Sequence, residues 1–380
     1  MEDRIQRKNK KVNVSENPPV AIIIVNYNNW PDTIECLESV SQIHYPVFQI
    51  IVVDNHSTDN SIFYLNQWAV GNLCSWPPSD SQLKYLTIPP AGKPIPHNVY
   101  RCQNRMNTRE MILQFHPDYL ADLSARQDRL VIIESDQNGG FAAGNNIGIQ
   151  YAIQQGTEYF LLLNNDTVVT REFLSPLVKV AREDKSIGIV GGKIMHYRKP
   201  QLIWAAGGGK IITWTSGMHH IGFDETDGPK YAVPFDCDYI TGCLLLIKKE
   251  VIDTIGPMKE DYFLYYEETD WNLRAKQAGY RRIYSPEAVI YHKASVSLSP
   301  SNILLTYYYT RNRIYLVRQN YRGLLKGITL CYLAGYNIIR SILYLLILNV
   351  SKAGTVLVAS YHGWSGKMGK FTKGKQSHKG

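Results

Sequence analysis

The sequence predicts an α/β fold built around a central, mostly parallel sheet flanked by helices. Three observations carry that expectation. Apolar, β-rich runs recur without polar interruption, a helical pattern separates each run from the next, and Asn and Asp collect where the runs end. A chain of 380 residues with ordinary apolar content and modest charge can bury a sizeable core, and its composition argues against disorder.

After a charged tail at 1–19, with no apolar stretch resembling a secretory signal, the elements follow in order. "VAIIIV" (20–25) is a strand, and "NWPDTIECLESVSQ" a helix with Pro31 in its first turn. "FQIIVVD" (48–54) is a second strand, and "STDNSIFYLNQWA" a second helix opened by a Ser or Asp cap. "RLVIIES" (129–135) is a third strand, "AAGNNIGIQYAIQQG" a helix closed by Gly156, and "YFLLLN" a fourth strand. This β-α-β-α-β-α-β order implies right-handed crossovers, and ligands then gather at the carboxyl ends of the strands. The rhythm stops at about 76–127, which reads as an insertion with a Pro-rich half and a helical half, "TREMILQFHPDYLADLSARQ". From Ile187 short mixed strands are expected, then a helix "ETDWNLRAKQAG" ended by Gly279, then two strands, "RRIYS" and "AVIYH".

Charge is unevenly placed. From Arg311 onward there are twelve of the 41 basic residues and none of the 33 acidic ones, so the net +8 belongs to the tail and the preceding body is mildly acidic. That distribution points to a local anionic partner such as a membrane surface, and away from a nucleic-acid binder. Six cysteines without a CxxC pair imply neither a zinc module nor a redox motif, and reduced thiols in a cytoplasmic setting are expected.

Several polar groups sit where chemistry would need them, and each also has a plainer reading. Asp54 ends the second strand, where it can accept hydrogen bonds from a nucleotide or serve as a helix N-cap. "NGGFAAGNN" (138–146) can offer helix N–H groups to a diphosphate, or be an ordinary Asn-Gly turn. Asn164, Asn165 and Asp166 empty from the fourth strand; Asp166 can hold a hard divalent cation that bridges phosphate oxygens, or stabilise a turn. Glu267, Glu268 and Asp270 gather where an aromatic loop meets a helix. One can be a general base with a raised pKa, or the three can be first-turn acids with Asp270 paired to Arg274. His292 ends the last strand, as a metal ligand or a structural hydrogen-bonder.

Together "IIIVNYNN", "IIVVDNHSTDNS", "NGGFAAGNN", "FLLLNNDT", "YITGCLLLIKKEVIDTIG", "YFLYYEETDWNLRAKQAGYR" and "PEAVIYHKAS" resemble glycosyltransferase family 2, in the family's order over roughly residues 20–320. The wording is most similar to the rhamnosyltransferase-like branch. The resemblance implies a GT-A fold over 20–300 and an inverting, sugar-nucleotide-dependent transferase using Mg2+ or Mn2+. It makes Asn26 and Asp54 contacts to the nucleoside, and Asn138, Gly139 and Asn145 contacts near the diphosphate. Asn165 and Asp166 become donor contacts, Asp166 and His292 metal ligands, Glu268 the base, and Thr241 and Gly242 the acceptor border. Two departures stand out. The DxD-type motif is Asn-Asn-Asp here, and Glu occupies the base position where Asp is usual, so Glu267 and Glu268 could exchange roles. The implied partners are a dTDP- or UDP-linked sugar and a glycan or lipid-linked acceptor. The alternatives are a strictly UDP-sugar-dependent enzyme and an inactive, membrane-bound nucleotide-binding scaffold.

The region 301–380 is expected to be helical and membrane-associating. Neither uncharged run flanking Arg340 reaches the ~18 residues that mark a span. On a helical wheel Arg318, Arg322, Lys326, Thr329, Asn337 and Arg340 form a basic stripe beside an apolar face, which predicts a helix at about 324–350 lying in the headgroup plane. A buried core helix and a tilted span are the alternatives. Lys367, Lys370, Lys373, Lys375 and Lys379 add an electrostatic anchor, giving a cytoplasmic, peripheral location at the inner membrane face.

Overall fold

The computed structural model describes residues 17–75, 77–79, 81–105, 110–119, 129–294 and 303–372, so most of the N-terminal tail, part of the insertion and Lys373, Lys375 and Lys379 lie outside the described residues. The first half runs β1 (Val20–Asn26), α1 (Trp30–Val40), β2 (Phe48–Asp54), α2 (Ser61–Val70), β3 (His97–Arg105), β4 (Glu110–Phe115), β5 (Leu130–Ser135), α3 (Gly140–Gln154) and β6 (Tyr159–Asn164). Then come β7 (Thr167–Val169), α4 (Leu174–Glu183), β8 (Ile187–His196), β9 (Ile203–Ala206), β10 (Gly208–Ile212), β11 (Gly217–His220), β12 (Phe235–Asp236), β13 (Tyr239–Ile240) and β14 (Leu244–Lys248). The chain continues through α5 (Lys249–Ile255), α6 (Glu267–Gln277), β15 (Arg281–His292), α7 (Ile303–Asn320), α8 (Gly323–Leu346) and α9 (Val350–Ser365).

The main sheet has the order β12-β15-β8-β14-β6-β1-β2-β5-β3-β4, with β6-β1-β2-β5-β3 parallel throughout. β14 enters antiparallel between β6 and β8. Because the parallel strands are buried on both faces, alternate residues serve two cores, which is why they read as unbroken apolar runs. Ile22, Ile24, Ile50, Val52, Leu161 and Leu163 pack with Leu37, Trp68 and Leu177 under α1, α2 and α4. Ile23, Ile51, Val53 and Leu162 pack with Ile149 and Trp271 on the opposite face, under α3 and α6.

Three expectations change. The helical half of the insertion does not form as read: Glu110–Phe115 is a strand, antiparallel to β3, and the two extend the sheet edge beyond β5. "RRIYS" and "AVIYH" are one strand, β15, which bridges an irregularity between Ser285 and Val289 without leaving β8. Finally, the supposed polar face of the tail helix points inward. α7 ends at Asn320, so Arg318 is not on α8, and the residues α8 buries are Thr329, Leu333, Asn337 and Ser341. Apart from Leu333, its Ile and Leu side chains face largely outward, with Ile339 60% and Leu346 72% exposed. A core helix would show the reverse. α8 is long and apolar enough to cross a membrane by length and composition. All six cysteines are free.

Candidate active site

The parallel register brings the carboxyl ends of β1, β2 and β6 to one edge: Asn26 pairs with Asp54, and Val25 with Asn164. There Asn26 Nδ2 donates to Asp54 Oδ1 (2.6 Å), and Asn26 Oδ1 accepts from Thr33 Oγ1 (2.8 Å), which in turn accepts from Asn165 Nδ2 (2.9 Å). One polar chain thus links three strand ends. Asp54 also accepts from the Ser57 amide (2.9 Å), and burial raises its pKa above the usual carboxylate range. It is not a helix N-cap, because α2 starts only at Ser61.

The turn after β6 sends Asp166 against β15. β7 pairs antiparallel with β15 so that Thr167 faces His292, and Lys293 N donates to Asp166 O (2.9 Å). His292 Nε2 then stands 3.1 Å from Asp166 Oδ1, both side chains being buried. Burial opposes a proton on His292, yet neighbouring Cys243 and Asp166 outweigh it and hold the imidazole well above its usual pKa. Among the described residues, His292 Nδ1 has no hydrogen-bond partner. Trp204 packs edge-on against the imidazole at 4.6 Å, and Lys293 is paired with Asp32 and Glu35. Among the described residues, no group of three or more His, Cys, Asp or Glu gathers where it could hold a metal.

The acids at the start of α6 divide into distinct environments. Asp270 is fully buried and its carboxylate is occupied: Oδ1 accepts from Lys259 (3.1 Å), Tyr262 (3.1 Å) and Asn320 (2.7 Å), and Oδ2 from Arg274 (2.7 Å). In this arrangement it anchors α6 to α7. Glu267 is buried with Oε2 unpartnered, and burial together with the charge of Glu268 raises its pKa well above the ordinary range. Glu268 is half-buried, and burial raises its pKa as well.

The loop before α6 holds three non-glycine residues in left-handed conformations, Phe263 (φ 65°), Tyr265 (φ 69°) and Tyr266 (φ 75°). Each costs roughly 1–3 kcal/mol, so the surroundings must over-determine it. α7 does this. Asn312 Nδ2 donates to the carbonyls of Tyr262 (3.0 Å), Leu264 (2.8 Å) and Tyr265 (2.9 Å), and Arg311 Nη2 donates to that of Tyr262 (2.8 Å). Sequence reasoning missed this clamp, although two strongly polar residues inside "TYYYTRNRIYLV" are the signal for it.

The same loop changes the reading of 138–146. Phe263 O accepts the amide of Phe141 (2.9 Å), Asn138 Oδ1 that of Gly140 (3.0 Å), and Asn55 Oδ1 that of Gly139 (3.3 Å). Three amides at the α3 start, those of Gly139, Gly140 and Phe141, are thus paired within the protein. A Cβ at Gly140 (φ 87°) would fall 2.0 Å from Phe263 O, so only glycine permits this contact. Asn145 is buried, and its Nδ2 donates to Phe141 O (2.9 Å).

Thr241, Gly242 and Cys243 join the two halves. A Cβ on Gly242 would lie 3.6 Å from Glu268 Cβ, so the chain passes directly against the acid. The next residue accepts the Asn164 amide through its carbonyl (3.1 Å) and sets its thiol beside His292.

A family model described as "Glycosyl transferase family 2" matches residues 21–89 and 104–256. The chain is 26% identical over 224 residues to the dTDP-rhamnosyl transferase RfbF of Shigella flexneri, covering 56% of this chain and 69% of that one. It is 32% identical over 97 residues to an N-acetylglucosaminyl-diphospho-decaprenol L-rhamnosyltransferase of Mycobacterium tuberculosis, a stretch of 25% of this chain and 29% of the relative. Among solved structures, a mannosyltransferase of Pyrobaculum calidifontis in complex with GDP-Man and Mn2+ is similar at TM-score 0.49 and 15% identity, over 92% of this chain and 87% of that one.

Proposed function

The chain belongs to glycosyl transferase family 2 and is a glycosyltransferase; from that premise we propose that it moves a sugar, rhamnose first among candidates, from a nucleoside-diphosphate sugar to a hydroxyl of a lipid-linked or surface-glycan acceptor, with inversion. The carrying observation is the Thr241–Gly242–Cys243 passage, which lies against Glu268 through Gly242 and beside His292 through Cys243. The names of the rhamnosyl relatives support the donor class, and the decaprenol-linked one supports a lipid-linked acceptor.

In this reading Glu268 is the general base and Glu267 is not, because Glu267 is buried, with burial and Glu268 raising its pKa well above the ordinary range, while Glu268 is half-buried and lies against Gly242. Glu268 takes the proton of the acceptor hydroxyl as its oxygen bonds to the anomeric carbon. The bond from that carbon to the diphosphate breaks on the opposite side, and its electron pair leaves with the diphosphate. Thr241 and Gly242 border the acceptor. The Asn26–Asp54 pair and Asn165 form the floor beneath the nucleoside.

The Asp166–His292 pair fits a hard divalent cation, Mg2+ or Mn2+. One carboxylate and one imidazole 3.1 Å apart, with no group of three or more such ligands among the described residues, match a site in which phosphate oxygens and water would complete the shell. Bound there, the cation would supply charge stabilisation to the departing diphosphate. The outward apolar face of α8 and the acid-free basic tail support attachment at the cytoplasmic face of a membrane.

A panel of dTDP- and UDP-sugars, each with and without chelator, tests the reading. We expect metal-dependent nucleoside-diphosphate release from one of them, and a drop of about 10²–10⁴-fold in transfer for Glu268→Gln with donor binding retained. A folded Glu268→Gln enzyme with undiminished transfer would remove the proposed base.

A further inference from the structure

α7 and α8 line an open pocket of about 490 Å³ whose wall includes Tyr266, Tyr309, Arg313, Tyr336, Arg340 and Tyr344. We propose that this cavity holds the anionic head of a lipid-linked acceptor, a phosphate or diphosphate carried on an isoprenoid chain, and so presents the attached sugar to Glu268. The proposal rests on the glycosyl-transfer reading above and adds to it a binding site with a defined ligand chemistry.

Charge is the first argument. The cavity wall contains two arginines and no carboxylate, and neither Arg313 nor Arg340 makes an ion pair among the described residues. Both are half-buried, and no Asp or Glu occurs from Arg311 to the chain end that could neutralise them. Partly buried charge without a counter-ion is costly, and a phosphate would supply the missing partner. Both guanidinium groups are also oriented. Arg313 donates to Thr215 O (2.8 Å) and Ser216 Oγ (3.2 Å) and lies over Tyr336; Arg340 donates to Thr310 Oγ1 (3.3 Å) and lies over Tyr344. Guanidinium groups fixed in this way can fork onto phosphate oxygens.

Position is the second argument. Tyr266 immediately precedes Glu267, and its ring meets that of Tyr309 at 5.7 Å, so the inner end of the cavity adjoins the start of α6. At the other end Arg340 follows Ile339 on α8, whose apolar residues face outward. An amphiphile therefore finds an apolar surface for its chain, a cationic cavity for its phosphate and a base beyond, in that spatial order. The aromatic wall also suits a sugar ring. The cavity volume lies within the usual range for small-molecule sites and leaves the hydrocarbon outside along α8.

The test uses the full-length protein and farnesyl diphosphate as a short isoprenoid diphosphate, titrated without divalent cation so that the donor site stays closed to it. We expect saturable binding, weakened about tenfold or more in Arg340→Gln and partly restored in Arg340→Lys, as expected on losing a charge-assisted contact. Arg313→Gln should act in the same direction, and a thermal melt shows whether loss of the Thr215 and Ser216 contacts has unfolded it. Farnesol should not bind and inorganic diphosphate should bind far more weakly. Wild-type affinity in folded Arg340→Gln, inorganic diphosphate binding as tightly as farnesyl diphosphate, or displacement by phosphatidylglycerol vesicles at equal phosphate would each overturn the proposal. In transfer assays Arg340→Gln should raise the acceptor KM while leaving the donor KM unchanged. An unchanged acceptor KM would overturn the cavity and leave glycosyl transfer standing, whereas Arg340-dependent lipid binding with no sugar transfer would do the opposite.

Discussion

Glu267 and Glu268 are chemically identical neighbours separated by environment alone. Glu267 is buried with an unpartnered oxygen beside another carboxyl, so its folded pKa lies well above its unfolded value of about 4.5. Such a group contributes stability that is fully present below pH ~4.5 and is lost as pH rises through the raised folded pKa. Glu267→Gln imitates the protonated form, so its melting temperature should fall less than wild type's as pH rises. Parallel melting curves of the two proteins against pH would show that the Glu267 side chain ionises freely. Glu268, whose pKa burial also raises, should place the acid limb of the transfer rate above that of an ordinary Glu, with activity lost as pH falls through it.

Among elements, α7 has the largest influence on the site without contributing the proposed base. It fixes the left-handed loop through Asn312 and Arg311, and it anchors α6 through the Asn320 contact to Asp270. Asp270→Ala strands Arg274 and Lys259 beside a buried gap, and removing one partner of a buried pair typically costs about 3–5 kcal/mol. Denaturant unfolding should show a loss of that order. If Asp270→Asn kept wild-type stability yet lost turnover with binding intact, Asp270 would belong to the chemistry after all. The sequence pattern places α7 at the head of a membrane-associating tail; its burial against the site loop makes it part of the catalytic body as well.

For the whole molecule, the decisive feature is the inverted face of α8. Thr329, Leu333, Asn337 and Ser341 recur every four residues and face the protein, so the apolar surface is directed away from it. Ile339, Ile342 and Leu346 share that outward face. A fully buried Ile or Leu is worth about 1.5–3 kcal/mol relative to exposure. Ile339→Glu combined with Leu346→Glu should therefore abolish co-sedimentation with anionic phospholipid vesicles while leaving the melt intact. Undiminished sedimentation would mean that a different surface makes the contact.

Unbroken apolar runs, with helices between them, were enough to determine the parallel sheet, because a strand buried on both faces cannot carry alternating polar residues and remain paired. The same logic placed Asn26, Asp54 and Asp166 at one sheet edge, since parallel strands share their carboxyl ends. What the sequence could not determine was which polar groups are already satisfied. The pairing of the Phe141 and Gly139 amides with Phe263 and Asn55, the Asn320 donor on Asp270, and the inward turn of the α8 polar stripe all depend on partners far away along the chain. Local spacing determines where a side chain can point; only the packed fold decides what it meets there, and a hydrogen bond made with the protein is no longer available to a ligand.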